Sequence, residues 1–267
     1  MSGPSAIRVR PRSLAALTLV SLVGLGAFGW PLFVDPGSGL AHSGDAPYLF
    51  AAILPLLLAV VLAEIAEGGL DAKAVALLGV LAAIGAALRP LGGGTAGFEP
   101  MFFLLVLGGR ALGPGFGFVL GSVTMFASAL LTGGVGPWLP FQMLAASWVA
   151  AGAGLLPGLR GRAEIWLLAA YGAATGLAYG LLLNLWFWPF AVGQDTSISY
   201  VAGAPLLENL HRLLVFDLAT SLGYDIPRAA LTATLVLVTG RHVLGALRRT
   251  ARRAAFDAPV EFVPVGR

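Results

Sequence analysis

The side chains best suited to holding a ligand stand at the ends of apolar runs. Arg89 and Glu99 bracket a loop that contains Gly93 and Phe98, and Trp138 and Gln142 bracket a proline-containing turn. Asn184, Asp225 and Arg228 follow further along the chain. These groups bind without doing covalent chemistry. Phe98 and Trp138 can stack on a flat ligand, Gln142 and Asn184 can hydrogen-bond, and Arg89, Asp225 or Arg228 can supply charge. A small-ligand site is typically apolar with a few such placed polar groups. Each feature also has a plainer reading. Arg89 and Glu99 could anchor a flexible connector at the headgroups, and Trp138 could be an interfacial belt residue. Asn184 lies inside an apolar run and needs a partner there.

Several chemistries are excluded. The chain has no cysteine, so it has no thiolate metal site and no cysteine nucleophile. Its histidines, His42, His211 and His242, are too scattered for a metal centre. Lys73 is the single lysine and lies in Ala-Lys-Ala, so there is no phosphate-binding Gly-Lys-Ser/Thr loop. Neither HExxH nor GxSxG occurs. The reading is a binding protein without catalytic residues or a cofactor, unable to hydrolyse ATP alone.

The elements that must position these residues are membrane spans. Apolar residues make up 58% of the chain and charged ones only 11%, against roughly a half and a quarter in soluble domains. The run from Leu14 to Val34 carries no charge and, at about 1.5 Å per residue, crosses the roughly 30 Å of hydrocarbon. Eight spans are expected, at 14–34, 48–66, 73–88, 100–112, 115–132, 140–157, 164–188 and 227–247. The alternative joins 100–132 into one kinked helix and gives seven. Charge favours eight. Both termini then share the cytoplasmic side, and every Lys and Arg except Arg89, Arg212 and Arg228 falls there. This sidedness also accounts for the pI of 9.7 without nucleic acid. The expected organisation is a basic cytoplasmic N-terminus (1–13), a transmembrane hairpin (14–72), a six-helix core (73–250) and a cytoplasmic tail (251–267). Pro205 to Leu222 reads as a further helix, lying in the membrane interface or capping the bundle. Its leucines lie on one side and Glu208, Asn209, His211 and Arg212 on the other. Asp225 and Pro227 read as the N-cap and first-turn proline of the last span.

The third span carries small residues at four-residue spacing, with Gly79, Ala83 and Ala87 in one row and Ala82 and Ala86 in another. Such rows let helix backbones approach closely in lipid, within one chain or between chains. From Ala74 onward the order of features is distinctive. A small-residue helix leads to a Gly-rich outer loop, then Glu99-Pro-Met-Phe-Phe, the turn Gly109-Arg-Ala-Leu-Gly-Pro-Gly115, a glycine-studded helix, and Gly136-Pro-Trp-Leu-Pro-Phe-Gln142. This layout resembles the substrate-binding S-components of energy-coupling factor (ECF) vitamin transporters, and the last stretch is similar to the cobalamin-type branch.

The resemblance implies an all-α membrane bundle that captures a vitamin at its outer face, with a corrinoid as the first candidate. Riboflavin, a thiamine precursor or a queuosine precursor are alternatives. The site residues would be Arg89, Gly93, Phe98, Glu99, Trp138, Gln142, Asn184, Asp225 and Arg228, on outer connections 89–99, 133–142 and 189–226. A transmembrane coupling subunit would dock on Gly79, Ala82, Ala83, Ala86 and Ala87, and two ABC ATPase subunits would supply the energy. The S-component would topple in the bilayer to deliver its ligand inward. The location implied is the inner, cytoplasmic membrane, multi-pass. The hairpin before Lys73 and the long 189–226 connection depart from a minimal S-component. A lipid-modifying enzyme and a purely structural subunit are the readings from other classes. Single cysteines replacing Gly93 and Trp138 should both react with a membrane-impermeant maleimide added outside intact cells. Labelling of only one would place the two loops on opposite faces and remove any shared site.

Overall fold

The computed structural model describes residues 11–33, 72–92, 97–191 and 196–254, with Pro55, Ala59 and Ala63 as single helical positions. The described elements are α1 (Pro11–Gly29), α2 (Ala72–Leu88), α3 (Met101–Leu112), α4 (Pro114–Thr132), α5 (Leu139–Leu155), α6 (Gly161–Ala191), α7 (Leu206–Thr220) and α8 (Leu222–Ala254). Short 3-10 turns follow α1 and α2, and no strand occurs among the described residues. Helices satisfy every interior backbone group within the segment, as lipid requires. Five of them, α1 with its turn, α2, α4, α6 and α8, are long and apolar enough to cross a membrane. The second expected span, 48–66, lies outside the described residues apart from the three single positions.

The centre of the molecule is its shortest apolar helix. At 12 residues α3 is about 18 Å long, too short to span roughly 30 Å of hydrocarbon alone. It packs against α2, α4, α5, α6 and α8, and all its residues except Phe103 and Arg110 are buried. Protein surrounds it, so its length need not match the bilayer. At Gly113 the backbone takes φ 96° and ψ 165°, a region open essentially to glycine. There α3 gives way to α4, and the two pack together, with Leu120 lying against Gly108. The stretch 100–132 is therefore two packed helices and not one kinked helix.

Glycines draw α3, α4 and α5 together. A Cβ on Gly109 would lie 1.8 Å from the Ala150 carbonyl oxygen, and one on Gly121 would lie 2.4 Å from that of Ala146. These backbones touch, as expected where packing rather than water exclusion drives helix association. A second seam on α6 was not anticipated from the sequence. Gly172, Gly176 and Gly180 lie against Thr232, Ala229 and Asp225 of α8. The four-residue spacing that marked α2 was there to be read.

Helix α7 presents three faces. Asn209, Leu213, Phe216 and Asp217 point into the bundle, where α7 meets α6 and α8. Leu207, Leu210, Leu214 and Leu218 form a second, exposed stripe, while Arg212 and Glu208 pair on a third. The helix thus packs on the bundle by one face and leaves an apolar stripe exposed on another. Asn209, expected on the outward side, is buried because its side chain bonds both the N–H and the C=O of Val201.

A charge clamp closes the opposite end. Glu164, at the start of α6, accepts from Arg110 Nε at 2.6 Å and from Arg248 Nη2 at 2.6 Å. Arg110 also donates to the carbonyls of Leu156 and Pro157, tying the α5–α6 connection to α3. Removing one partner of a buried pair costs about 3–5 kcal/mol because the other charge is stranded. Glu164→Ala should therefore lower the unfolding midpoint of the solubilised protein by several degrees. Arg249→Ala, at an exposed position of the same end, should leave it unchanged; equal effects would show that the clamp does not hold the ends together.

Candidate functional site

The head of α8 decides the geometry of the far end. Asp225 was expected to cap this helix, but α8 begins three residues earlier, at Leu222, and Asp225 lies inside its first turn. Its carboxylate accepts from Arg228 Nη1 at 2.6 Å instead of from its own backbone. Pro227 likewise falls within the helix and does not open it. This pairing fixes Arg228, which is only 8% exposed.

Arg228 is held through two of its three nitrogens. Its Nε donates to Glu99 Oε2 at 2.6 Å, and its Nη1 also reaches the Gly176 carbonyl at 3.2 Å. The guanidinium carbon lies 5.1 Å from the ring centre of Tyr179 and 5.8 Å from that of Phe102. Those rings meet edge to face at 4.8 Å, so the cation has aromatic company as well as counter-charges. Glu99 in turn pairs with Arg89 at 3.5 Å. Two cations and two anions balance within one cluster. Gly97 pins the loop in place: its φ is 75°, and a Cβ there would lie 1.7 Å from the Tyr224 carbonyl oxygen. Connections 89–99 and 189–226 thus meet at one end of the bundle, with Arg89, Glu99, Asp225 and Arg228 in contact.

Asn184 finds its partner next door. Its amide donates to Asp217 Oδ1 of α7 at 2.7 Å and to the Ser221 hydroxyl. Trp188 donates to the Ile198 carbonyl at 2.7 Å and packs with Leu213 and Phe216. Sequence reasoning missed Tyr179, Asp217 and Ser221. Asp217 sits three residues beyond a leucine of the helical stripe, and nothing local marks it as inward.

The remaining candidates are not drawn into this cluster. Trp138 is 41% exposed and donates to Gly134 O within its own turn, while Phe98 is 49% exposed. Gln142, one turn into α5, has a buried Oε1 with no partner. Gly93 lies outside the described residues. On α2 the two small-residue rows separate. Ala82 and Ala86 are buried where the helix packs on α3 and α4, so they are not available to a partner. Gly79, Ala83 and Ala87 form the exposed row.

Among the described residues no group of His, Asp and Glu could hold a metal ion. The arrangement is a multi-pass helical bundle with an ion-and-aromatic cluster at one end, the class of a membrane binding subunit. The family model for the ECF transporter, substrate-specific component, matches residues 73–239, and the chain belongs to that family. No curated protein and no solved structure matches it. The chain is therefore a membrane substrate-capture subunit of an ECF importer, which works with a transmembrane coupling subunit and ATPase subunits.

A Cβ at Gly180 would lie 1.9 Å from Asp225 Oδ1, so this glycine is required for the Asp225–Arg228 pair. Gly180→Ala should destabilise the solubilised protein about as much as Asp225→Ala. In a double-mutant cycle the pair should cost little more than either change alone. Additive costs would mean the glycine serves packing only.

Proposed function

We propose that the chain captures a vitamin at the outer end of its helical core, in a multi-pass arrangement in the inner membrane with both termini cytoplasmic. The observation that carries this reading is the buried cluster where the 89–99 loop, α6 and the head of α8 meet. A charge buried in a membrane helix is costly and usually marks a substrate path or site. Here Arg89, Glu99, Asp225 and Arg228 lie beside Phe102 and Tyr179, with Asn184 and Asp217 on the flank. A corrinoid is the first ligand to test, on the strength of the Gly136–Gln142 stretch. Riboflavin, a thiamine precursor and a queuosine precursor are the alternatives.

The exposed row Gly79, Ala83 and Ala87 is the surface best suited to the coupling subunit, since the neighbouring row is spent on internal packing. A lipid-modifying transferase, the reading from another class, would need an acid free to act. The carboxylates of Glu99 and Asp225 are both held by arginines.

The experiment is mass spectrometry of what co-purifies with the detergent-solubilised protein. Cobalamin at near-stoichiometric occupancy is the expected result, with an ATPase pair and a coupling protein in the same preparation. Another vitamin at that occupancy would move the substrate and keep the function. A protein that binds no tested vitamin would overturn the proposal.

A further inference from the structure

Helix α8 has 33 residues and is about 50 Å long, while the hydrocarbon layer is roughly 30 Å thick. Its last turns, 240–254, run on beyond the family-matched residues. They sort sharply by face. Leu244, Leu247 and Ala251 are buried against the bundle. Arg241, His242, Arg249, Arg252 and Arg253 are exposed, and at about 3.6 residues per turn they fall within an arc of about 120° on the other side. No described residue pairs with or hydrogen-bonds any of these five side chains.

The acid that could neutralise them is already engaged. Among the described residues Glu164 is the one acid at this end, and Arg110 and Arg248 hold both of its oxygens. Glu99, Glu208, Asp217 and Asp225 stand at the other end. The arginines of the outward face are therefore left without counter-charge.

The turn just before them shows what covers this face. Val238, 69% exposed, lies in the middle of the same arc, and Leu237, 39% exposed, lies beside it. In a bilayer such side chains rest against acyl chains. The molecule whose tails cover Val238 presents its headgroup to Arg241 and the arginines that follow. A soluble partner could meet the arginines but would leave the apolar turn bare. Trp166, 60% exposed and two residues after Glu164, has the amphipathic ring expected at headgroup level.

We propose that the outward face of α8 seats anionic phospholipid, with acyl chains along Leu237 and Val238 and headgroups on Arg241, Arg249 and Arg252. Basic residues clustered directly after a membrane span attract anionic headgroups in this way. The lipid supplies the counter-charges that the chain lacks at this end. The seat is independent of which ligand the subunit captures.

The test moves the full-length protein from nanodiscs of equal parts phosphatidylglycerol and phosphatidylcholine into mild detergent. Native mass spectrometry then weighs the lipids that stay bound. Both lipids carry a phosphate, and only phosphatidylglycerol carries a net charge. Each arginine near an anionic headgroup is worth a factor of about five, so the wild type should favour phosphatidylglycerol about ten-fold or more. Arg241→Gln, Arg249→Gln and Arg252→Gln together should abolish the preference and leave the thermal midpoint unchanged. Arg212→Gln, at the opposite end, should keep the wild-type ratio. Equal retention of the two lipids by the wild type would overturn the proposal, as would an equal loss in the Arg212 variant. A triple variant that keeps the lipid ratio would overturn it too. If that variant also lost its co-purifying coupling and ATPase subunits, the face would belong to a protein partner.

Discussion

A guanidinium near the end of a membrane helix must find its counter-charges inside the protein, and Arg228 finds two. Glu99 comes from the connection ahead of α3 and Asp225 from the preceding turn of α8 itself. Neither acid would tolerate that environment alone. Each pair therefore requires the other elements to be in place: the 89–99 loop seated on Tyr224, α6 drawn close enough for Gly176 to offer its carbonyl, and Phe102 and Tyr179 flanking the cation. Buried ion pairs contribute little net stability compared with apolar packing, but breaking one is expensive. The cluster's effect is to specify a single arrangement of the helices that meet there.

The same logic operates at the other end, where Glu164 joins Arg110 and Arg248. Between the two clusters the helices are held by close backbone contact. Gly109 and Gly121 admit α5, and Gly172, Gly176 and Gly180 admit α8. Dispersion at short range replaces the water exclusion that would hold a soluble bundle. Any side chain larger than hydrogen at these glycines pushes apart helices whose charged ends must meet.

Much of this was legible in the sequence, because the bilayer imposes long-range order on a local pattern. Charge-free runs located the helices, and the distribution of arginines grouped Arg89, Glu99, Asp225 and Arg228 on one side before any contact was known. Asn184 was rightly expected to need a partner. What failed was local grammar overruled by tertiary contact. Asp225 has the type and position of an N-cap, yet Arg228 three residues on claims its carboxylate. Asn209 belongs to the polar side of α7 by its chemistry, yet Val201 supplies both of its bonds and turns it inward. Ala82 and Ala83 are equal in sequence, and only the position of α3 and α4 decides which one faces out. Aromatic partners on different helices, such as Phe28 and Phe141, leave no trace in spacing at all.

These contacts bear on how a subunit without its own energy source can take part in import. The family works with coupling and ATPase subunits, so this chain's own part is to hold its helices in one arrangement. Lipid offers no water to a buried polar group, so each one needs a partner within the protein. Arg228, Asn184 and Glu164 are each hydrogen-bonded by other parts of the same chain. Closure at both charged clusters therefore fixes one arrangement of the helices from within the chain.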